Sequence, residues 1–295
     1  MTLTPTCLAE GFTFPEAPRW HAGLGHFVVS DIDRGQVFAV TPEGARRLLY
    51  QGPDWVSGTA FDGDTHLLIT NARSRTLVRI SLTDPAAGVE TVASLTEIAP
   101  YGVNDMVRTP SGACFIDTVS FDFVAYARGE IPPQPSVLAR VDPDGTVSVG
   151  TSEVSFPNGL VVTPDGRRLL VADSLDQCVY AFELRPDGTL GARTLFAALP
   201  GEVPDGMCLD ASGALWVANH GRVARVQEGG AILDEVDMGS TLATACMLGG
   251  PDGRTLLITA SDSYNRSVIA TNPTGRLFTA QVSVPGAGLP SVYQG

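Results

Sequence analysis

An apolar run that ends in a small or polar residue recurs six times along this chain of 295 residues. The copies end at Asp31, Asn71, Asp117, Asp173, Asn219 and Ala260, at spacings of 40, 46, 56, 46 and 41 residues. Each run, such as Leu169-Leu170-Val171-Ala172-Asp173, is rich in β-branched or bulky apolar residues that suit a buried strand. A second apolar stretch follows each run, from Val37-Phe38-Ala39-Val40 in the first copy to Val268-Ile269-Ala270 in the sixth. Turn tripeptides such as Pro143-Asp144-Gly145 and Pro164-Asp165-Gly166 punctuate the pattern. Four short strands in about 40–50 residues, repeated, is the signature of a propeller blade. The sequence therefore predicts an all-β, six-bladed β-propeller occupying residues 1–295 as one domain. One blade cannot bury both of its faces, but neighbours around a ring can. The tail from Arg276 to Val284 alternates apolar and polar residues, and it is expected to share the last blade with the N-terminal segment. The longest interval marks an inserted loop at about 118–136, carrying Phe121, Phe123 and Tyr126, which is expected to be an ordered excursion over one face; a lid beside a site and a long surface loop without function both stay open.

Charge narrows the function classes. There are 32 acidic and 19 basic side chains, a net charge of −13, and every basic residue is Arg. A Schiff-base enzyme and a Walker A loop both need Lys, so neither fits. An acidic chain disfavours nucleic acid and anionic membranes as partners and leaves carboxylates available for cations. The N-terminus has no basic and apolar leader pattern, and no stretch reaches the roughly 18 apolar residues of a membrane span. Five widely spaced cysteines without a C-x-x-C pair read as reduced residues, so a cytoplasmic location is expected. Trp20, Trp55 and Trp216 read as packing residues.

Polar residues recur at the point where each innermost strand begins. Pro157-Asn158-Gly159 and Pro204-Asp205-Gly206 are the same motif one repeat apart, and Val103-Asn104-Asp105 and Pro15-Glu16-Ala17 stand at the matching phase. Propeller symmetry would bring these positions to one axial point. Carboxylates and amides are hard oxygen donors, which suit Ca²⁺, Mg²⁺ or Mn²⁺. No G-x-S-x-G elbow accompanies the four histidines.

Several stretches carry a family resemblance. The most specific is Val203–Val226, VPDGMCLDASGALWVANHGRVARV; Phe14–Trp20, Val103–Gly112, Asn158–Ser174 and Thr244–Gly250 match in repeat order. The chain resembles the SMP-30/gluconolactonase/luciferin-regenerating-enzyme family. The resemblance implies a six-bladed propeller with one divalent cation, Ca²⁺ first, with Mg²⁺, Mn²⁺ or Zn²⁺ as alternatives. It implies Glu16, Asn158 and Asp205 as ligands, and Asn104 and Asp105 as substrate contacts. Asp205 is also the candidate general base (catalytic residue) for water, although a cation on the same carboxylate would weaken it as a base. It implies hydrolysis of a small-molecule lactone, sugar-type or more apolar. Two alternatives stand beside it: a metal-bearing propeller acting on another ester or metabolite, and a non-enzymatic ligand-binding propeller. One departure bears on substrate. Gly102 stands where the family's sugar-lactone hydrolases often have Arg, so a group that could grip hydroxyls is missing.

Overall fold

The structure, a computed structural model, describes residues 1–288; residues 289–295 of the expected domain lie outside the described residues. Strands dominate. Two N-terminal strands, β1 (Thr2–Leu3) and β2 (Thr6–Phe12), come first. Four antiparallel sheets of four strands follow, each ordered as a simple meander. They are β3 (Pro15–His21), β4 (His26–Asp31), β5 (Gln36–Val40) and β6 (Arg46–Gln51); then β7 (Val56–Asp62), β8 (His66–Asn71), β9 (Thr76–Ser81) and β10 (Val89–Ser94). The third holds β11 (Gly102–Arg108), β12 (Cys114–Val119), β13 (Leu138–Val141) and β14 (Val147–Thr151). The fourth holds β15 (Pro157–Val162), β16 (Arg168–Asp173), β17 (Cys178–Leu184) and β18 (Leu190–Ala198).

A seven-stranded sheet completes the chain. It contains β19 (Met207–Leu209), β20 (Leu215–Val226), β21 (Ile232–Gly249), β22 (Thr255–Ser261) and β23 (Gly275–Gln281), with β2 beside β23 and β1 beside β21. The long β21 serves two groups of strands. Its first part, Ile232–Asp237, pairs with β20, and β1 runs parallel to it at Glu235. Its second part, Leu242–Gly249, pairs with β22. The expected sharing between the tail and the N-terminal segment is present, because β2 pairs antiparallel with β23.

The core is a succession of clusters, each between neighbouring sheets. Val28 and Val37 pack with Leu67 and Ile69; Leu68 and Leu77 with Met106 and Ile116; Phe115 and Leu138 with Leu169 and Phe182. Leu170 and Val179 meet Leu215 and Val217. The last cluster returns to the start, joining Leu257 and Cys246 to Trp20, Phe27 and Val40. The first strands of the sheets are also neighbours in a closed order: β3 beside β7, β7 beside β11, β11 beside β15, β15 beside β19, and β21 beside both β19 and β3. The residues that close the six apolar runs are all buried.

Besides a single 3-10 turn at Pro85–Ala87, two elements depart from the strand pattern. The insertion forms a short helix, α1 (Phe123–Ala127). Val268-Ile269-Ala270, expected as the second strand of the sixth repeat, lies instead in a helix, α2 (Arg266–Thr271). Asn265 caps it by accepting a hydrogen bond from Ser267 N–H, and Ile269 buries against Phe14 and Ile32. The partner of β22 is β23, which the sequence reading assigned to the tail. Among the described residues no helix is long and apolar enough to cross a membrane.

The first strands approach so closely that some positions have no room for a side chain. A Cβ at Gly159 would stand 2.5 Å from the Asp205 carbonyl oxygen and 2.8 Å from Met207 N, and one at Gly58 would stand 2.7 Å from the Asn104 carbonyl. Backbone cannot yield as a flexible side chain can. Gly159→Ala is therefore expected to lose about 1–3 kcal/mol of stability as an overpacked core position. Denaturant unfolding checks this, and an unchanged midpoint would contradict the close approach.

Candidate functional site

The pairing of these first strands is interrupted at the same phase. Between Val103 and Met106 of β11, Asn104 and Asp105 oppose a single residue of β12; between Pro157 and Leu160 of β15, Asn158 and Gly159 do the same against β16. Ser57 and Gly58 form the matching interruption in β7, and β3 has it just after Glu16. Such bulges bend a strand and re-aim its side chains. In β3 the bulge forces Ala17 to φ 44°, a costly value for a residue with a Cβ. The approach to the strands is pinned as well. Asp31 accepts hydrogen bonds from Thr13 N and Phe14 N at 2.9 Å each, directly before Glu16. Asp173 accepts from Ser155 N at 2.7 Å and Phe156 N at 3.0 Å, directly before Asn158. The residues that close the repeat runs thus fix the residues that open the neighbouring strand.

The expected residues come together. Asn104 Nδ2 donates to Asn158 Oδ1 at 3.4 Å and to Asp117 Oδ2 at 3.1 Å, while Asn104 Oδ1 accepts from Ser57 Oγ at 2.6 Å. The Asn158 side chain lies close enough to the Asp205 carboxylate to stabilise its charge. Glu16 lies near enough to Asp205 to feel its charge. Asp105 is tethered: Arg19 donates to its Oδ1 at 2.9 Å and Met106 N at 2.7 Å. All four carboxylates, Glu16, Asp105, Asp117 and Asp205, are buried.

Burial dominates the electrostatics. It raises the pKa of Glu16 well above the usual carboxylate range, and the charge of Asp205 adds to the effect. It pushes Asp205 up to about 8, helped by the charge of Asp105. Asp117 is raised by burial and then by Asp105, and its Oδ1 has no hydrogen-bond partner among the described residues. Several carboxylates converging out of water is costly unless positive charge accompanies them.

The residues fit a hard divalent cation. Glu16 and Asp205 supply carboxylate oxygens and Asn158 an amide oxygen, the donor chemistry that Ca²⁺ and Mg²⁺ take. The set is mixed. Among the described residues, no three His, Cys, Asp or Glu side chains form a metal-binding group.

Several residues at the site escaped the sequence reading. Ser57-Gly58 stands at the phase of Asn158-Gly159, the one sequence signal for it. Tyr264, in the segment before α2, donates to Asp205 Oδ2 at 3.4 Å and has no counterpart in the repeat. Trp55 is not simple packing. Arg73 stacks on its ring at 3.7 Å and Arg266 at 4.9 Å. His220 is exposed, with its ring 5.3 Å from that of Tyr264. On another side, Phe123 stacks on Phe156 with ring centroids 5.8 Å apart, and Phe121 and Tyr126 pack around them. Phe156 lies two residues before Asn158, so the insertion is anchored to the segment that leads into that residue's strand.

Comparison with known proteins agrees with this architecture. The model of the SMP-30/Gluconolactonase/LRE-like region matches residues 14–262, and the chain belongs to this family. It is 37% identical over 161 residues to the 6-deoxy-6-sulfogluconolactonase of Pseudomonas putida, covering 52% of this chain and 55% of that protein. The chain thus spans about half the length of that relative. It is 28% identical over 251 residues to the pentonolactonase of Haloferax volcanii, covering 83% of this chain and 81% of the relative. The crystal structure of a calcium-binding protein, regucalcin, from Agrobacterium tumefaciens superposes with a TM-score of 0.82 at 21% identity, covering 100% of this chain and 98% of that one.

The buried charge makes a prediction about pH. An unfolded Asp titrates near 3.9, whereas Asp205 in the fold titrates at about 8. Between those values the folded state binds more protons, so the contribution of Asp205 to stability falls as pH rises. With divalent cations chelated, Asp205→Asn should therefore gain stability relative to the unsubstituted protein as pH goes from about 5 to about 8. Added Ca²⁺ should narrow the difference at the higher pH. Thermal melts of the two proteins across pH check this, and a difference independent of pH would contradict it.

Proposed function

We propose that this member of the SMP-30/gluconolactonase/LRE family is a six-bladed β-propeller, folded as one domain, that hydrolyses a lactone with one divalent cation held by Glu16, Asn158 and Asp205. The six-fold reading is supported by the six runs in the sequence and by the closed neighbour order of the first strands. In it, the two parts of β21 belong to consecutive blades. The lactone reading is supported by relatives named for sulfogluconolactone and pentonolactone hydrolysis. The observation that carries the site is the meeting of Glu16, Asn104, Asn158 and Asp205 at the starts of separate sheets. A purely interaction-bearing propeller has no need of that convergence.

A bound cation, Ca²⁺ in first place with Mg²⁺, Mn²⁺ or Zn²⁺ as alternatives, supplies Lewis-acid polarisation of the carbonyl. The chain's own residues do the rest. Asp205 accepts a proton from water as the water oxygen bonds to the lactone carbonyl carbon, and returns it to the ring oxygen as the ring C–O bond breaks, releasing a hydroxy acid. Burial raises its basicity, while a cation on the same carboxylate pulls the other way. Asn104 enters the substrate contact with its amide already oriented by Ser57, Asp117 and Asn158. Asp105, its carboxylate held by Arg19 and Met106 N–H, is the second residue of the proposed substrate contact. Asp205→Asn keeps the shape and one oxygen donor but removes the charge and the base. It is expected to lose about 10²–10⁴ in kcat while remaining folded. Near-normal turnover by the folded, Ca²⁺-loaded variant would refute the assignment.

The walls of the site bear on substrate. A Cβ at Gly102 would stand 3.3 Å from the Ala72 carbonyl, so this position offers neither a side chain nor ready room for one. The insertion packs its aromatic rings on Phe156, two residues before Asn158, and in this reading they face the substrate instead. Sugar hydroxyls buried without partners cost roughly 1–3 kcal/mol each, whereas apolar area is favoured by about 25 cal/mol per Å². We therefore expect a lower kcat/KM on gluconolactone than on a less hydroxylated lactone of the same ring size. A side-by-side panel decides this, and gluconolactone as the best substrate would show that other residues supply the hydroxyl contacts.

A further inference from the structure

The segment between β22 and β23 builds a wall of the site from outside the repeat. Ile269 of α2 buries with Phe14 and Ile32, and Trp55 and Tyr264 pack against this cluster. Arg266 pairs with Asp33 and lies over the Phe14 ring at 4.3 Å and the Trp55 ring at 4.9 Å. The helix is thereby fastened to the segments entering β3 and β7. Tyr264 lies just before it, with its ring 5.6 Å from Phe14 on one side and 5.3 Å from His220 on another. Its hydroxyl reaches Asp205 Oδ2 at 3.4 Å, across 59 residues of sequence.

Asp205 is otherwise held through its backbone: its N–H donates to the Ala218 carbonyl oxygen at 2.9 Å, and the next residue, Gly206, donates to that of Thr244 at 2.9 Å. Those contacts come from the inner strands and move with them. The Tyr264 contact comes from a separately anchored element, so it constrains the carboxylate from an independent direction. We infer that Tyr264 is a positioning residue for Asp205: its O–H donates to Oδ2 and fixes the orientation of the carboxylate toward cation and water. This inference rests on the roles of Asp205 proposed above. Partners outside the ligand shell that orient a ligand are typically worth 10–100-fold in metal affinity or activity. A merely structural tyrosine hydroxyl would instead affect the melting temperature alone.

Tyr264→Phe keeps the ring between Phe14 and His220 and deletes only the donor, so the fold should be retained and a thermal melt verifies it. The expected result is a fall in kcat of about 10–100-fold and a weaker Ca²⁺ affinity by calorimetry, with KM changed less than about threefold. The double variant with Asp205→Asn gives a second readout, in Ca²⁺ affinity. If the hydroxyl acts through Asp205, its loss adds little once the carboxylate is gone. Full additivity would overturn the assignment. So would a folded Tyr264→Phe with unchanged kcat and unchanged Ca²⁺ affinity, while the lactonase reading would survive. If the unsubstituted protein neither binds Ca²⁺ nor opens any lactone, the reading of the site fails first, and this inference falls with it.

Discussion

Crowding among the first strands of the sheets is the constraint on which the rest depends. These strands pack flank to flank, and Gly58, Gly159 and Gly206 sit where a Cβ would strike the neighbouring segment of the same chain. None of the three has a left-handed φ, so each is needed for the close approach and not for a turn. Each follows a polar residue, Ser57, Asn158 or Asp205, and the glycine lets that residue reach its counterparts. In two of these strands a bulge at the same place turns the side chain inward. Packing and site are therefore one design problem, solved by a small residue beside a polar one.

The cost of the solution is electrostatic. Bringing Glu16, Asp105, Asp117 and Asp205 together out of water raises the pKa of three of them, with burial as the leading cause in each. Asp105 is offset by Arg19. No comparable ion pair reaches Glu16 or Asp205 among the described residues. What the fold leaves uncompensated there is the demand that a divalent cation would meet. Hydrogen bonds from Ser57, Asn104 and Tyr264 organise the donors without neutralising them.

Much of this was legible in the sequence, for a physical reason. A strand buried between two sheets must be apolar throughout, so the runs ending at Asp31 through Ala260 stood out, and their spacing carried the architecture. The phase of Asn158-Gly159 and Asp205-Gly206 carried the site. The Asx-Gly pairs are also common turn motifs, and only their recurrence argued otherwise. Other features were hidden. Val268-Ile269-Ala270 is as apolar as a strand, and its helical state follows from the Asn265 cap and from the burial of Ile269 against Phe14, which is distant in sequence. Tyr264 and Trp55 belong to no repeat position, so their place beside the site could come only from tertiary packing. The continuous β21 runs 18 residues without a break, which joins what the repeat would divide into separate sheets.

The central claim is that Glu16, Asn158 and Asp205 hold one divalent cation. Anomalous scattering from crystals loaded with Mn²⁺ or Ca²⁺ tests it most directly, because the signal locates the ion without reference to activity. The account predicts a single strong peak within about 2.0–2.6 Å of oxygens from all three side chains. A peak held by other residues, or none at saturating cation, would contradict it.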